Sequence, residues 1–133
     1  MCQPSPVTHP DASTQEPPSV LLALLYDVLA VLAFAVVGRL AHGESLSPGG
    51  LVTTGGPFLV GLLVGWFLGL RKLRNARSLQ FAILIWGATL FVGMGVRSFT
   101  GGGTAMSFVI VAGVVLAALL TGWRLLGARR TSR

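Results

Sequence analysis

Asp27 is the one acid inside four long apolar stretches, Val20–Leu40, Leu51–Leu70, Leu79–Val96 and Ala105–Leu126. A lone carboxylate in hydrocarbon costs several kcal/mol, so it must be protonated, paired or turned toward water. Two chemistries follow. Asp27 can bind a proton or cation during transport, or it can form a structural ion pair with Arg124. Trp86, whose indole nitrogen donates a hydrogen bond, is expected as a third member of this intramembrane polar site. Arg39 lies twelve residues from Asp27, about 18 Å along a helix axis, and is out of reach.

A second constellation comprises Arg39, His42 and Arg97, placed where the second and fourth helices begin, with Thr53, Thr54 and Thr104 available as caps. Helix N-termini carry partial positive charge, so this outer vestibule is expected to attract an anion. A lipid phosphate, an anionic solute, or only water and Glu44 would satisfy it. Enzyme chemistry is not expected, because there is no nucleophile with a base in reach and no carboxylate pair. The single cysteine, Cys2, and two distant histidines, His9 and His42, offer no metal-ligand spacing and imply no metal or cofactor. Gly101, Gly102, Gly103 and Thr104 lack the lysine and the preceding strand of a phosphate loop, and read as a hairpin connection.

The elements that must position these groups are set by composition. Hydrophobic residues make up 53% of the 133, charged residues only 11%, and the mean hydropathy is +0.77. A soluble domain carries about a quarter charged residues, so a water-facing surface is excluded. Crossing a core of ~30 Å takes about 20 helical residues. The expected fold is all-α, a polytopic four-helix transmembrane bundle over 20–126, with helices at about 20–40, 57–73, 79–97 and 105–126. Pro57 favours the first turn of the second helix. Arg71 and Lys72 then snorkel outward.

Five of the seven prolines fall in residues 1–19 with Ser, Thr and Gln, so this segment is expected to be a disordered tail. Residues 127–133 read as a basic tail. No basic residue precedes Val20, and the apolar run after it is long and carries Asp27, so a cleaved signal is not expected. Eight of the ten basic residues lie in the loop after the second helix and at the C-terminal end. By the positive-inside rule both termini face the cytoplasm of a bacterial inner membrane, multi-pass. The basic loops are topology determinants touching anionic membrane lipid, and nucleic acid is not an expected partner.

Helices in lipid meet through close backbone approach. Gly61, Gly65 and Gly69 form a small-residue row on the second helix, and Gly113, Ala117 and Thr121 form another on the fourth. Such rows pack helices within a chain or between chains, so a homo-oligomer or a membrane protein partner stays open. On the first helix Ala23, Asp27, Ala30, Phe34, Gly38 and Ala41 share a face that should turn inward; on the third, Ala82, Trp86, Thr89, Gly93 and Arg97 do. Trp66 and Trp123 near the inner ends read as interfacial anchors.

The chain also resembles itself. Phe58 to Trp66 aligns with Val115 to Trp123 at an offset of 57, and Arg39 and Gly43 align with Arg97 and Gly101 at 58. Two helical hairpins in parallel orientation would result. Asp27 has no acidic counterpart, because Ile85 occupies the matching position.

An ordered set of residues resembles the DUF3054 family of small actinobacterial membrane proteins. It comprises Asp27, Gly38-Arg39 with His42, Pro57-Phe58 with Gly61 and Gly65-Trp66, Trp86 with Thr89, Val92-Gly93-Met94 with Arg97, Gly101 to Gly103, Ser107-Phe108 with Val111-Ala112, and Gly122-Trp123-Arg124. One departure is Gly56, where a Trp is expected before the Pro-Phe pair. The resemblance implies a four-helix membrane protein and supplies no substrate or reaction. Function therefore rests on the polar groups. They suit a small transporter or channel component using Asp27 and the outer vestibule, carrying a small ion or anionic solute; the alternative is an accessory subunit or scaffold that packs with a partner through its small-residue faces.

Overall fold

A computed structural model describes residues 20–132. The segment read as a disordered tail, 1–19, lies outside the described residues, as does Arg133. Four helices follow one another: α1 (Val20–Ala41), α2 (Pro48–Lys72), α3 (Leu79–Phe99) and α4 (Met106–Thr131). Each is long and apolar enough to cross a bilayer. Short connections make consecutive helices antiparallel, and the four close a ring in which α1 and α3 both contact α2 and α4, while the backbones on each diagonal stay apart.

Two boundaries differ from the expectation. Helix α2 begins at Pro48, not at Pro57, because Ser47 caps it by accepting a hydrogen bond from the Gly50 N–H at 3.1 Å and Pro48 fills the first turn. Pro57 is therefore interior. A proline there removes one backbone donor, which a membrane helix tolerates when its neighbours supply polar contacts. Near this turn the Thr53 hydroxyl donates to the Gly50 carbonyl, while Arg39 donates to Gly50 O and to Thr54 Oγ1. Helix α4 runs on through the supposed basic tail to Thr131, since no Gly-Pro signal or αL residue stops it.

The two hairpins repeat one local geometry. In the α1–α2 corner the Arg39 Nε donates to Ser45 O at 2.8 Å, Glu44 N–H closes onto Arg39 O, and Gly43 takes φ 68°. In the α3–α4 corner the Arg97 Nε donates to Gly103 O at 3.0 Å, Gly102 N–H closes onto Arg97 O, and Gly101 takes φ 79°. Both arginines thus clamp a carbonyl six residues onward across a left-handed glycine that ends the helix. The next helix starts at matching places, Pro48 and Met106.

The closest backbone packing joins α2 to α3. It is a glycine seam. A Cβ on Gly61 would lie 2.7 Å from the Thr89 carbonyl oxygen and 2.9 Å from its Cα; one on Gly65 would meet Ala88 Cβ at 3.0 Å; one on Gly69 would strike the Phe81 ring at 2.7 Å. Gly93 of α3 returns the contact, with the Phe58 ring against it. The row on α2 is therefore spent within the chain. Gly113 and Ala117 face inward less tightly: a Cβ on Gly113 would make an ordinary 3.4 Å contact with Leu90.

Inside, Val31, Ala35, Phe58, Leu62, Ile85, Ala112, Leu116 and Leu120 are fully buried. Phe34 meets Phe58 edge-on at 5.0 Å, and Phe108 closes the cluster at 6.3 to 6.5 Å. The inward stripe predicted for α1 holds from Ala23 through Phe34; Gly38 is half-buried and Ala41 exposed. Outward, Leu25, Leu29, Leu63, Phe67, Ile83, Phe91, Ile110 and Val114 are exposed around the ring. So many large apolar groups on every outer face match acyl chains rather than water.

Gly61→Ala is expected to force α2 and α3 apart and to destabilise by about 1–3 kcal/mol, as overpacking does. Gly87→Ala, where a Cβ meets nothing within 4 Å, is expected to be neutral or to stabilise by up to about 1 kcal/mol. Thermal melts of the purified protein in detergent distinguish these outcomes. Thr89 is fully buried and its Oγ1 has no partner among the described residues, so the isosteric Thr89→Val is expected to stabilise by about 1 kcal/mol. The same melts read it.

Candidate functional site

Asp27 lies two turns into α1 with no exposed surface. Arg124, two turns before the end of α4, meets it from the facing helix in a bidentate pair: Nη1 to Oδ1 at 2.8 Å and Nη2 to Oδ2 at 2.8 Å. Two indoles complete the shell. Trp123 donates to Oδ1 at 2.9 Å and Trp66 of α2 to Oδ2 at 3.0 Å. Each carboxylate oxygen thus receives one guanidinium N–H and one indole N–H, which fills the roughly four acceptor positions of the group.

Arg124 is held as firmly as its partner. Its Nε donates to the Ala76 carbonyl at 3.0 Å, in the 73–78 connection, and Nη1 donates also to Leu120 O at 2.6 Å. The guanidinium lies 4.3 Å from the Trp123 ring and 5.9 Å from Phe81, and Phe81 meets Trp66 edge-on at 5.0 Å. One polar knot therefore gathers α1, α2, α3, α4 and the connection between the two hairpins. Its charges cancel locally, and its donors and acceptors are matched.

Of the three residues expected together, the structure unites Asp27 and Arg124 and leaves Trp86 elsewhere. Trp86 donates to the Gly113 carbonyl at 2.8 Å, stitching α3 to α4. The reason is the ring order: α3 stands diagonal to α1, so its side chains face α2 and α4, whereas those two helices flank the acid. Trp66 and Trp123, read as interfacial anchors, take the place assigned to Trp86. Trp66 is buried, and Trp123 is half-buried against Tyr26 at 5.2 Å. Their signal was present in the repeated Gly-Trp pairs at the ends of α2 and α4, because a hairpin repeat carries equivalent positions to equivalent depth.

Two of the three residues expected in the outer vestibule, Arg39 and Arg97, are engaged locally. Arg39 and Arg97 stand on α1 and α3, whose backbones stay apart, and each folds back on its own corner. Arg39 is committed to Ser45 O, Gly50 O, Thr54 Oγ1 and the Glu44 carboxylate at 2.8 Å. Arg97 binds Gly103 O and lies 4.6 Å from the Phe108 ring. His42 is exposed beyond the end of α1. The cations were legible in the sequence, but their local carbonyl partners come from loop closure.

Residues 24–127 match the family model described as "Protein of unknown function (DUF3054)". No curated protein and no solved structure matches the chain. The matched span contains all four members of the polar knot.

Asp27→Asn keeps the shape but leaves the Arg124 charge buried and unpaired. An expected loss of about 3–5 kcal/mol follows, seen as a large fall in the apparent melting temperature. Asp27→Leu combined with Arg124→Met removes both charges and is expected to recover part of that loss, with the two orphaned indoles limiting the recovery. A double variant no more stable than Asp27→Asn would show that the unpaired Arg124 charge is not the source of the loss.

Proposed function

The chain belongs to the DUF3054 family, whose function is unknown, and from its own geometry we propose that it is a structural or accessory membrane subunit, neither a transporter nor an enzyme. The observation that carries this reading is the saturation of Asp27 by four N–H donors from Arg124, Trp66 and Trp123. A carboxylate that relays a cation or proton must exchange partners during the cycle. Releasing this one strands a buried guanidinium and two indoles in hydrocarbon at a cost of several kcal/mol. A pinned acid suits a part whose task is to keep one shape.

The packing above the knot supports the same reading. Phe34, Phe58 and Leu62 fill the interior between the knot and the opposite end with almost no exposed area, and arginines at that far end are occupied by their own corners. In this reading the end bearing Arg71, Lys72, Arg74, Arg77, Arg129 and Arg130 faces the cytoplasm of a bacterial inner membrane. A partner meets the outer apolar faces, because the α2 glycine row is consumed by α3. The partner is another membrane protein or a second copy.

Reconstitution tests it. Proteoliposomes holding the full chain alone are expected to show no flux of protons, sodium, potassium or phosphate above protein-free vesicles, and cross-linking in native membranes is expected to trap one discrete, stoichiometric complex. Flux by the isolated protein that disappears in Asp27→Asn at a temperature where that variant is folded would overturn the accessory reading in favour of transport.

A further inference from the structure

The basic end of the bundle carries a cleft of about 530 Å³ beside the polar knot, lined by Tyr26 of α1, Arg77 of the 73–78 connection, and Trp123, Arg124, Leu126 and Arg130 of α4. Its charge is one-sided. The carboxylates among the described residues are Asp27 and Glu44; the first is saturated, and the second pairs with Arg39 at the opposite end. Arg77 and Arg130 are exposed on the two sides of the cleft, while Arg124 forms its inner wall with four of its N–H groups already directed to Asp27, Ala76 and Leu120. The opening is apolar. Leu126 is 63% exposed and Tyr26 45%.

We propose that this cleft is a binding site for the phosphate headgroup of an anionic phospholipid, held between Arg77 and Arg130 over the Tyr26–Trp123 ring pair, with its acyl chains running down past Leu126. Guanidinium forks match phosphate oxygens in geometry as well as charge. Among the described residues the cleft gathers arginines without a free carboxylate, which disfavours a cationic occupant. A phosphodiester that brings its own hydrocarbon satisfies both halves of the lining, whereas a soluble anion satisfies only one. The continuation of α4 through Arg130 builds one wall of the cleft. This inference is independent of the accessory reading, since a transporter could carry the same lipid site.

The test titrates the detergent-purified full chain with phosphatidylglycerol or phosphatidylcholine and counts retained lipid by native mass spectrometry. Wild type is expected to prefer phosphatidylglycerol, and Arg77→Gln/Arg130→Gln to bind it roughly tenfold or more weakly, the scale of two lost arginine contacts. The control Arg71→Gln/Lys72→Gln, which removes equal charge from the same end outside the cleft, is expected to bind as wild type does. An equal loss in both double variants would mean diffuse surface charge and would overturn the site, as would wild type that fails to distinguish the two lipids. Inorganic phosphate displacing the lipid at millimolar concentration would assign the cleft to a soluble anion instead. Elution profile and lipid-free melting temperature verify folding, and the single variants Arg77→Gln and Arg130→Gln replace the double if it does not fold.

Discussion

A carboxylate removed from water must find as many donors as it has acceptor positions, and the architecture at the basic end of this protein follows from that demand. Asp27 draws in Arg124 from α4, Trp123 beside it, and Trp66 from α2. Arg124 then fixes the connection between hairpins through Ala76. Buried ion pairs give little net stability against an apolar replacement, yet they penalise every arrangement in which the partners are separated. In lipid, where apolar surface offers no preference for one helix contact over another, that penalty is a strong means of selecting a single packing.

Elsewhere in the bundle apolar shape dominates, with the Trp86 bond to the Gly113 carbonyl joining α3 to α4. Between α2 and α3, Gly61, Gly65 and Gly69 let backbone and ring edges approach to contact distances that a methyl group would prevent. Farther from the knot, Phe34, Phe58 and Phe108 fill the interior. Specificity is thus divided by depth: complementary charge near one end, shape along the seam, aromatic volume toward the other end.

Four helices, the inward face of α1 and the Asp27–Arg124 pairing could be read from the sequence because they rest on hydropathy, periodicity and the scarcity of charge. The start of α2 could not. Pro57 looks like a first residue only until Ser47 and Pro48 are seen to supply an earlier cap. Trp86 was an equally good donor by type, and only the order of helices around the ring decides that Trp66 and Trp123 reach the acid. The basic residues at the other end show a related limit: sequence places cations at helix ends, but it does not reveal that Arg39 and Arg97 turn back to carbonyls six residues away.

The two corners share one local geometry, yet the acid belongs to the first hairpin and its guanidinium partner to the second, 97 residues later. A ribosome therefore delivers the need long before the remedy. When α1 enters the bilayer it bears an unanswered carboxyl group; α2 brings a single indole, and full neutralisation waits until nearly the whole polypeptide has emerged. Before Trp123 and Arg124 emerge, the first hairpin holds one of the four donors that surround its acid in the finished bundle.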